Sequence, residues 1–373
     1  MHIGFDAKRA FLNETGLGNY SRDTIKLLAK YYPDNKYSLY TPEDKKNKRF
    51  ETIRKNKNVL INTPKKLINK IFKNYWRSKL ITKQLIEDKI DVFHGLSHEL
   101  PIGIEKTKIK TVVTIHDLIF IRYPELFSLI DRKIYKYKFK SACKRADKII
   151  AVSEQTKKDI INFFSISPNK IHVIYQGCNK VFQEKKNDEF KKNVLLKYKI
   201  PKNYILYVGS IEKRKNLLSL LKAIKELPNQ QLVIIGNGGV YKNKCIKYCL
   251  DNKIKERVFF LSDLNLKEIS ILYDAAQIMV YPSVFEGFGI PILESLFSKT
   301  PVITSKGGCF SEAGGPTTKY INPLSINNIK NTIKEIQSSK VLQNKMQKKG
   351  YEYAQKFKDN KIADNLMNLY KEL

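Results

Sequence analysis

The sequence predicts an α/β protein of two doubly wound, parallel-sheet domains facing a cleft. Three observations lead there. Short apolar runs alternate with helical segments from end to end, the pattern of parallel sheets covered by helices on both faces. The alternation breaks near residues 185–200 and then restarts. At 373 residues the chain is too long for one ordinary core and fits two domains of roughly 150–200 residues each.

In order, His2–Phe5 reads as a short strand and Asn19–Tyr31 as a helix with apolar residues at helical spacing. Tyr37–Tyr40 and Val59–Asn62 are short β-rich runs, and Pro64–Asp88 is mainly helical. Val92–His94 and Thr111–Ile115 read as buried strands. Leu129–Ala146 is a long helix and Lys148–Val152 a strand. Ser153 is an N-cap for a helix to Phe163, because its hydroxyl can accept a free first-turn N–H. Ile171–Tyr175 is a strand, and Asn187–Tyr198 a polar connection. Tyr204–Val208 restarts the pattern, followed by Gly209 and a helix from Asn216. Gln231–Ile235 is a strand closed by three glycines, and Val258–Leu261 is another. Leu266–Ala275 is helical, Ile278–Val280 and Val302–Thr304 are strands, and Ile326–Lys358 is nearly all helical in pattern.

Composition narrows the class. The net charge of +33 attracts polyanions: nucleic acid, anionic lipid or phosphorylated substrates. Lysine is spread throughout, so part of that charge is solvated surface. Two stretches concentrate it beside aromatics: Lys65–Lys83, with Phe72, Tyr75 and Trp76, and Arg132–Arg145, with Tyr135, Tyr137 and Phe139. A basic amphipathic helix with aromatics suits a membrane surface, while the same spacing equally fits a helix with an ordinary core face. No apolar run approaches the ~18–20 residues of a membrane span. The N-terminus lacks the apolar core of a signal peptide, which leads us to expect a cytoplasmic protein. Five scattered cysteines form no disulfide framework. Cys245 and Cys249 share one helix face but have no His or Cys cluster for a metal.

Four segments can carry chemistry. Gly16-Leu17-Gly18, between the first strand and the first helix, offers backbone that can approach a ligand, or is a plain turn. It is not the nicotinamide fingerprint, since Ser21 stands where the third glycine belongs. His116 directly follows a buried strand and can bond a substrate hydroxyl or stabilise developing charge, with Asp117 orienting its ring. His94 and His98 are weaker candidates that can line or brace the same region. Gly209–Asn216 places Arg214 and Lys215 at a strand end, where cations neutralise a diphosphate. Val280–Pro301 describes a strand, a glycine-bearing loop and a helix with Pro291 in its first turn. It holds Glu286 and Glu294, eight positions apart. Free N–H groups at a helix start suit a phosphate, and carboxylates accept from hydroxyls. Together they suit a nucleotide-sugar.

With these residues in place the chain resembles the retaining glycosyltransferases of family 4. EGFGIPILE resembles their Glu-x7-Glu signature. TGLGNY, TIHDL, ADKIIAVSEQTKKDI, VGSIEKRKN and LVIIGNGG are similar to further family segments along nearly the whole chain. The resemblance implies the GT-B fold: an acceptor-side Rossmann-like domain at 1–190, a donor domain at 191–355, and a C-terminal helix, 356–373, packing back on the first. It implies metal-independent transfer of a sugar from a nucleotide-sugar with retained configuration. Glu294 would bind the ribose hydroxyls and Glu286 the donor sugar. Phe288, Gly289 and Ile290 would face sugar and phosphates through their backbone. Lys215 and Arg214 would clamp the diphosphate. Gly16 and Gly18 would approach donor phosphate or acceptor, and His116 would touch the transferring sugar. One departure is Ser210, where many members carry arginine, which shifts the cation load to Arg214 and Lys215. DAKRAF, TGLGNY, SHELP and TIHDLIF look most like mannosyltransferases of polysaccharide or O-antigen assembly. GDP-mannose is then the expected donor, and a lipid-linked glycan the acceptor. An anionic membrane face would be the partner, with peripheral localisation on the inner face of the plasma membrane. The alternatives are a UDP-sugar enzyme of the family, a nucleotide-sugar epimerase of similar shape, and a basic nucleic-acid-binding protein.

Overall fold

The structure is a computed structural model that describes residues 1–45 and 50–373. It divides into two compact units, Met1–Gly177 with Asp359–Leu373, and Cys178–Lys358. The first contains β1 (His2–Asp6), β2 (Lys36–Tyr40), β3 (Val59–Asn62), β4 (Val92–Gly95), β5 (Lys110–Ile115), β6 (Lys148–Ala151) and β7 (Ile171–Val173). They form one parallel sheet in the order β3-β2-β1-β4-β5-β6-β7. Successive side chains of a strand point to opposite faces. In β5, Val112 therefore joins a core with the Gly16–Tyr31 and Asp359–Lys371 helices, while Val113 and Ile115 join another with Trp76, Leu85 and Cys143. Both sheet faces are covered, which is why strands such as β4 and β5 are buried along nearly their whole length.

The second unit contains β8 (Tyr204–Val208), β9 (Gln231–Ile235), β10 (Val258–Leu261), β11 (Ile278–Tyr281), β12 (Val302–Ser305) and β13 (Lys319–Ile321). Their order is β10-β9-β8-β11-β12-β13, again all parallel. Strand order reverses between β1 and β4 in one sheet and between β8 and β11 in the other. The strand ends at such a reversal are where open α/β sheets hold ligands.

Four sequence expectations change. The first unit ends at Gly177 rather than at 190. The segment after it is drawn to the Leu266–Ala275 helix: Phe182 meets Tyr273 edge-on at 5.5 Å, and Lys191 pairs with Asp274 at 2.6 Å. Within that segment, Asn187–Tyr198 is not a polar connection but a helix, Asp188–Lys197, whose first turn is capped by the Asn187 side chain. At the other end the returning segment begins at Asp359 rather than 356. Phe357 stays with the second unit, buried against Phe288 and Tyr353. The Asp359–Lys371 helix lies on the Gly16–Tyr31 helix. Its Tyr370 hydroxyl is 2.6 Å from His94 Nδ1, and His94 Nε2 is 2.8 Å from Thr114 Oγ1, so His94 braces this helix to the sheet.

The fourth change is at Gly16 and Gly18, which lie in the first turn of the Gly16–Tyr31 helix rather than in a loop before it. A second short helix, Lys8–Leu12, occupies the space after β1. A Cβ at Gly18 would stand 1.8 Å from the Asn13 carbonyl oxygen, so this glycine lets the two helices meet. A Cβ at Gly16 would meet nothing within 4 Å.

Candidate active site

β8 and β11 are neighbours and run in parallel, so the loops that leave them emerge on one edge. The loop after β8 carries Lys213–Lys215 as a single 3-10 turn. The loop after β11 runs from Pro282 to Gly289 and enters the Ile290–Phe297 helix. The two are fastened together: Val284 N–H donates to the Arg214 carbonyl at 2.9 Å, and the Arg214 guanidinium donates to the Phe285 carbonyl. Gly289 begins the helix at φ +111°, a left-handed conformation that favours glycine. Pro291 fits the first turn, where its missing N–H costs nothing.

Glu286 is the centre of this edge and is 9% exposed. Its Oε1 receives four donors: Ser283 Oγ at 2.6 Å, Lys215 Nζ at 2.7 Å, Arg214 Nη1 at 2.8 Å and Tyr281 Oη at 2.9 Å. Among the described residues, none donates to Oε2. Burial alone would push this carboxyl up, but the Lys215 and Arg214 cations beside it hold it down at about 2. The same pairing raises the Arg214 guanidinium against its own desolvation. Lys215 also donates to Tyr281 Oη at 2.6 Å and sits 5.0 Å from the centre of that ring. The Cys309 thiol donates to the carbonyls of Glu286 and Phe288 at 3.2 and 3.0 Å, which shapes the loop between them. Glu294, half-buried one turn along the helix, accepts from Tyr273 Oη at 2.8 Å. Phe288 is buried, and Gly289 and Ile290 follow it into the helix start.

The sequence therefore named both carboxylates and both cations of this cluster. It treated Glu286 and the cations as separate contacts, whereas the fold pairs them. It missed Tyr281, Ser283 and Tyr273, which bond the charged groups, and Cys309, which bonds the loop carbonyls. Tyr281 and Ser283 stand in VYPS, where the apolar run signalled only a strand end.

Gly16, Gly18 and His116 belong to the first unit. His116 is buried, and its Nε2 lies 2.9 Å from the Leu96 carbonyl. A carbonyl can only accept, so Nε2 carries the proton, and Nδ1 accepts from the Gln176 amide at 3.3 Å. Leu96 and Gln176 thus orient the ring, while Asp117 Oδ1 accepts from the Ile119 N–H. Tyr20 packs edge-on to the ring at 4.5 Å. Burial lowers the His116 pKa to about 4, so the ring is neutral at physiological pH and does not supply a positive charge. His98 stacks on Phe139 at 4.2 Å. Among the described residues, no group of three or more His, Cys, Asp or Glu is placed to hold a metal.

A model described as Glycosyltransferase Family 4 matches residues 15–180, and one described as Glycosyl transferases group 1 matches residues 187–356. Residues 15–180 thus belong to glycosyltransferase family 4, and residues 187–356 to glycosyl transferases group 1. The chain is 32% identical over 227 residues to the O-antigen chain mannosyltransferase RfbU of Salmonella typhimurium, covering 60% of each chain. It is 28% identical over 246 residues to O-antigen chain mannosyltransferase B of Escherichia coli, covering 64% of this chain and 63% of the other. It thus spans under two thirds of the length of these relatives. Its fold matches that of Anabaena HepE, solved in complex with UDP and glucose, with a TM-score of 0.78. That match covers 100% of this chain and 99% of the other at 16% identity, a likeness of fold. The two parallel-sheet, Rossmann-like domains are of the GT-B class. No helix among the described residues is long and apolar enough to cross a membrane.

Proposed function

We propose that this chain is a retaining mannosyltransferase that moves mannose from GDP-mannose onto a lipid-linked glycan during O-antigen or related polysaccharide assembly. It would work at the cytoplasmic face of the plasma membrane. The observation that carries the reading is the Glu286 cluster at the β8–β11 strand ends, with four donors on Oε1 and none on Oε2 among the described residues. Oε1 anchors the cations, and Oε2 is left to accept from a hydroxyl of the donor sugar. Negative charge builds on the leaving diphosphate as the glycosidic bond breaks. Lys215 and Arg214, preorganised by Glu286 and Tyr281, offset that charge together with the N–H groups at the start of the Ile290–Phe297 helix. Charge stabilisation of this kind needs no metal. Glu294 accepts from the ribose hydroxyls. His116, neutral and with its proton committed to Leu96, can accept a sugar hydroxyl at Nδ1 in place of the long Gln176 contact. Gly16 keeps open space at the first turn of its helix, beside Gly18, for donor phosphate or acceptor.

The mannose assignment rests on the names of the two O-antigen relatives. The UDP complex of HepE favours a second reading, a UDP-sugar donor. Thermal unfolding with a panel of GDP- and UDP-sugars decides between them, because a ligand that binds only the folded state raises the melting temperature. GDP-mannose should give the largest shift. Protection by no nucleotide-sugar would overturn both readings. Filter binding across a salt series tests the nucleic-acid alternative, for which steeply salt-dependent DNA or RNA binding without sugar transfer is the signature.

A further inference from the structure

His98 stands in the loop after β4, shortly past Gly95, with its backbone left-handed at φ +65°. Residues with a Cβ rarely adopt that conformation, and glycine or asparagine would meet it with less strain. The strained histidine lies at the C-terminal edge of the first sheet, beside the reversal between β1 and β4. Strain of this kind collects where ligands bind. The loop is built to hold it. A Cβ at Gly95 would stand 2.0 Å from the Glu99 carbonyl oxygen, so the chain doubles back tightly between them. Glu99 is in turn pinned by Arg77 and by Lys138 at 3.3 Å.

Hydrogen bonds join this loop to the one after β5. His98 N–H donates to the Thr114 carbonyl at 2.9 Å, His116 Nε2–H to the Leu96 carbonyl at 2.9 Å, and His116 N–H to His98 Nδ1 at 3.5 Å. The two imidazoles are thereby fixed edge to face, 5.1 Å between centres. Each is also clamped by an aromatic ring. Phe139 lies flat on His98, 4.2 Å away and 1° from parallel, and is itself held edge-on by Phe120 at 5.3 Å. Tyr20, edge-on to His116, has its hydroxyl 3.0 Å from Thr114 Oγ1. Burial, then His116 and Arg9, keep His98 well below its ordinary 6.5, so the ring is neutral and carries one proton. Nδ1 faces an N–H and accepts, which leaves that proton on Nε2. Nε2 has no partner among the described residues, yet it is not sealed from solvent. A buried ring, fixed on its other sides, thus presents an unused donor beside the His116 acceptor.

Resting on the reading of His116 as a contact of the transferring sugar, we infer that His98 determines sugar specificity by binding a second hydroxyl of the same ring. His98 Nε2–H donates to one hydroxyl, and His116 Nδ1 accepts from its neighbour. A hydroxyl both donates and accepts, so two adjacent hydroxyls bond each other and close the chain between the imidazoles. The pair of roles selects this ligand chemistry. A carboxylate or phosphate would leave His116 Nδ1 facing another acceptor, and an ammonium would leave His98 Nε2–H facing another donor. A neutral diol satisfies both. The rings are already fixed, so little freedom is lost when the sugar arrives. A sugar lacking either hydroxyl leaves a buried polar group unpaired, the arrangement that gives strong discrimination.

The test is calorimetric titration of the full chain with GDP-mannose, its monodeoxy analogues and GDP. Should the donor panel select a UDP-sugar, that sugar, its analogues and UDP replace these probes. His98→Phe keeps a ring against Phe139 and removes the N–H. It should weaken GDP-mannose about tenfold, the value of one hydrogen bond, and leave GDP unchanged. His98→Asn suits the left-handed backbone but cannot place a donor at Nε2. It should lose as much, which separates binding from folding. His98→Gln carries an amide N–H near the Nε2 position and should recover part of the loss. One monodeoxy analogue should bind the wild type and His98→Phe equally. Another should bind the wild type and His116→Phe equally, and the two missing hydroxyls should be neighbours on the ring. Equal weakening of GDP and GDP-mannose, a constant loss across all analogues, or missing hydroxyls that are not neighbours would each overturn the inference. Tight GDP-mannose binding that survives in His98→Phe and His98→Asn sinks this inference alone. A wild type that binds no nucleotide-sugar sinks the transferase reading, and this inference with it.

Discussion

The hydroxyl of Tyr281 stands between Lys215 and Glu286, taking a hydrogen bond from the ammonium at 2.6 Å and donating to Oε1 at 2.9 Å. Tyr281→Phe keeps the ring beside Lys215 and removes only this relay. The net value of one such bond is about 1–1.5 kcal/mol. Turnover of radiolabelled sugar should therefore fall about tenfold, while donor protection in thermal unfolding changes little. An unchanged kcat would show that the hydroxyl merely fills space.

Lys215 is the cation most directly tied to that relay. Removing one preorganised group that stabilises transition-state charge typically costs about 10²–10³ in kcat, and Lys215→Ala should lose turnover on that scale. Lys215→Arg should recover part of it, because charge is restored without the same geometry. Wild-type kinetics in the alanine variant would remove Lys215 from the site.

Glu286→Gln leaves two cations facing a neutral amide, which should destabilise the second unit by about 3 kcal/mol at neutral pH. The wild-type carboxyl is held near 2, below its ordinary 4.5. A depressed carboxyl contributes stability that is present above the ordinary value and is lost as pH falls through the folded one. The gap between wild type and variant in urea unfolding should thus close between about pH 4.5 and 2. A gap that does not vary with pH would refute the pairing.

His94 and His116 are buried in the first unit, and burial lowers them to about 3 and about 4. Their unfolded value is about 6.5. Between the two values the unfolded chain binds the extra proton, so stability is complete above about pH 6.5 and falls as pH is lowered toward 4. Each histidine contributes a slope of about 1.4 kcal/mol per pH unit over that range. His94→Asn should flatten the pH dependence of unfolding by one such slope. A parallel curve would mean that His94 titrates normally.

Gly16 and Gly18 separate packing from binding. Gly18→Ala forces a methyl onto the Asn13 carbonyl and should cost about 1–3 kcal/mol of stability. Gly16→Ala meets open space, so its melting temperature should stay close to that of the wild type. Loss of turnover in Gly16→Ala at unchanged stability would report a ligand at this position. Full activity would confine the pair to a packing role.

Much of the fold was legible because both sheets are parallel and covered on both faces. Runs such as Tyr204–Val208 and Leu232–Ile235 are apolar throughout, and period and length identify them without tertiary information. β13, three residues long, and the helix at Asp188–Lys197, amphipathic only against its partner Leu266–Ala275, carry too little periodic signal.

The sequence by itself determined the residue types of the site. Glu286, Glu294, Arg214, Lys215, Gly289 and Pro291 stand at fixed offsets from strand ends, and those offsets are local. The tertiary structure alone decided which groups share a charge. Arg214 and Glu286 are 72 positions apart, yet adjacent parallel strands bring their loops within 2.8 Å. It also decided that His94 serves the Tyr370 helix and that Gly18 serves Asn13. Hydrogen bonds and ion pairs act over a few ångströms of space, and the distance along the chain leaves no trace in them.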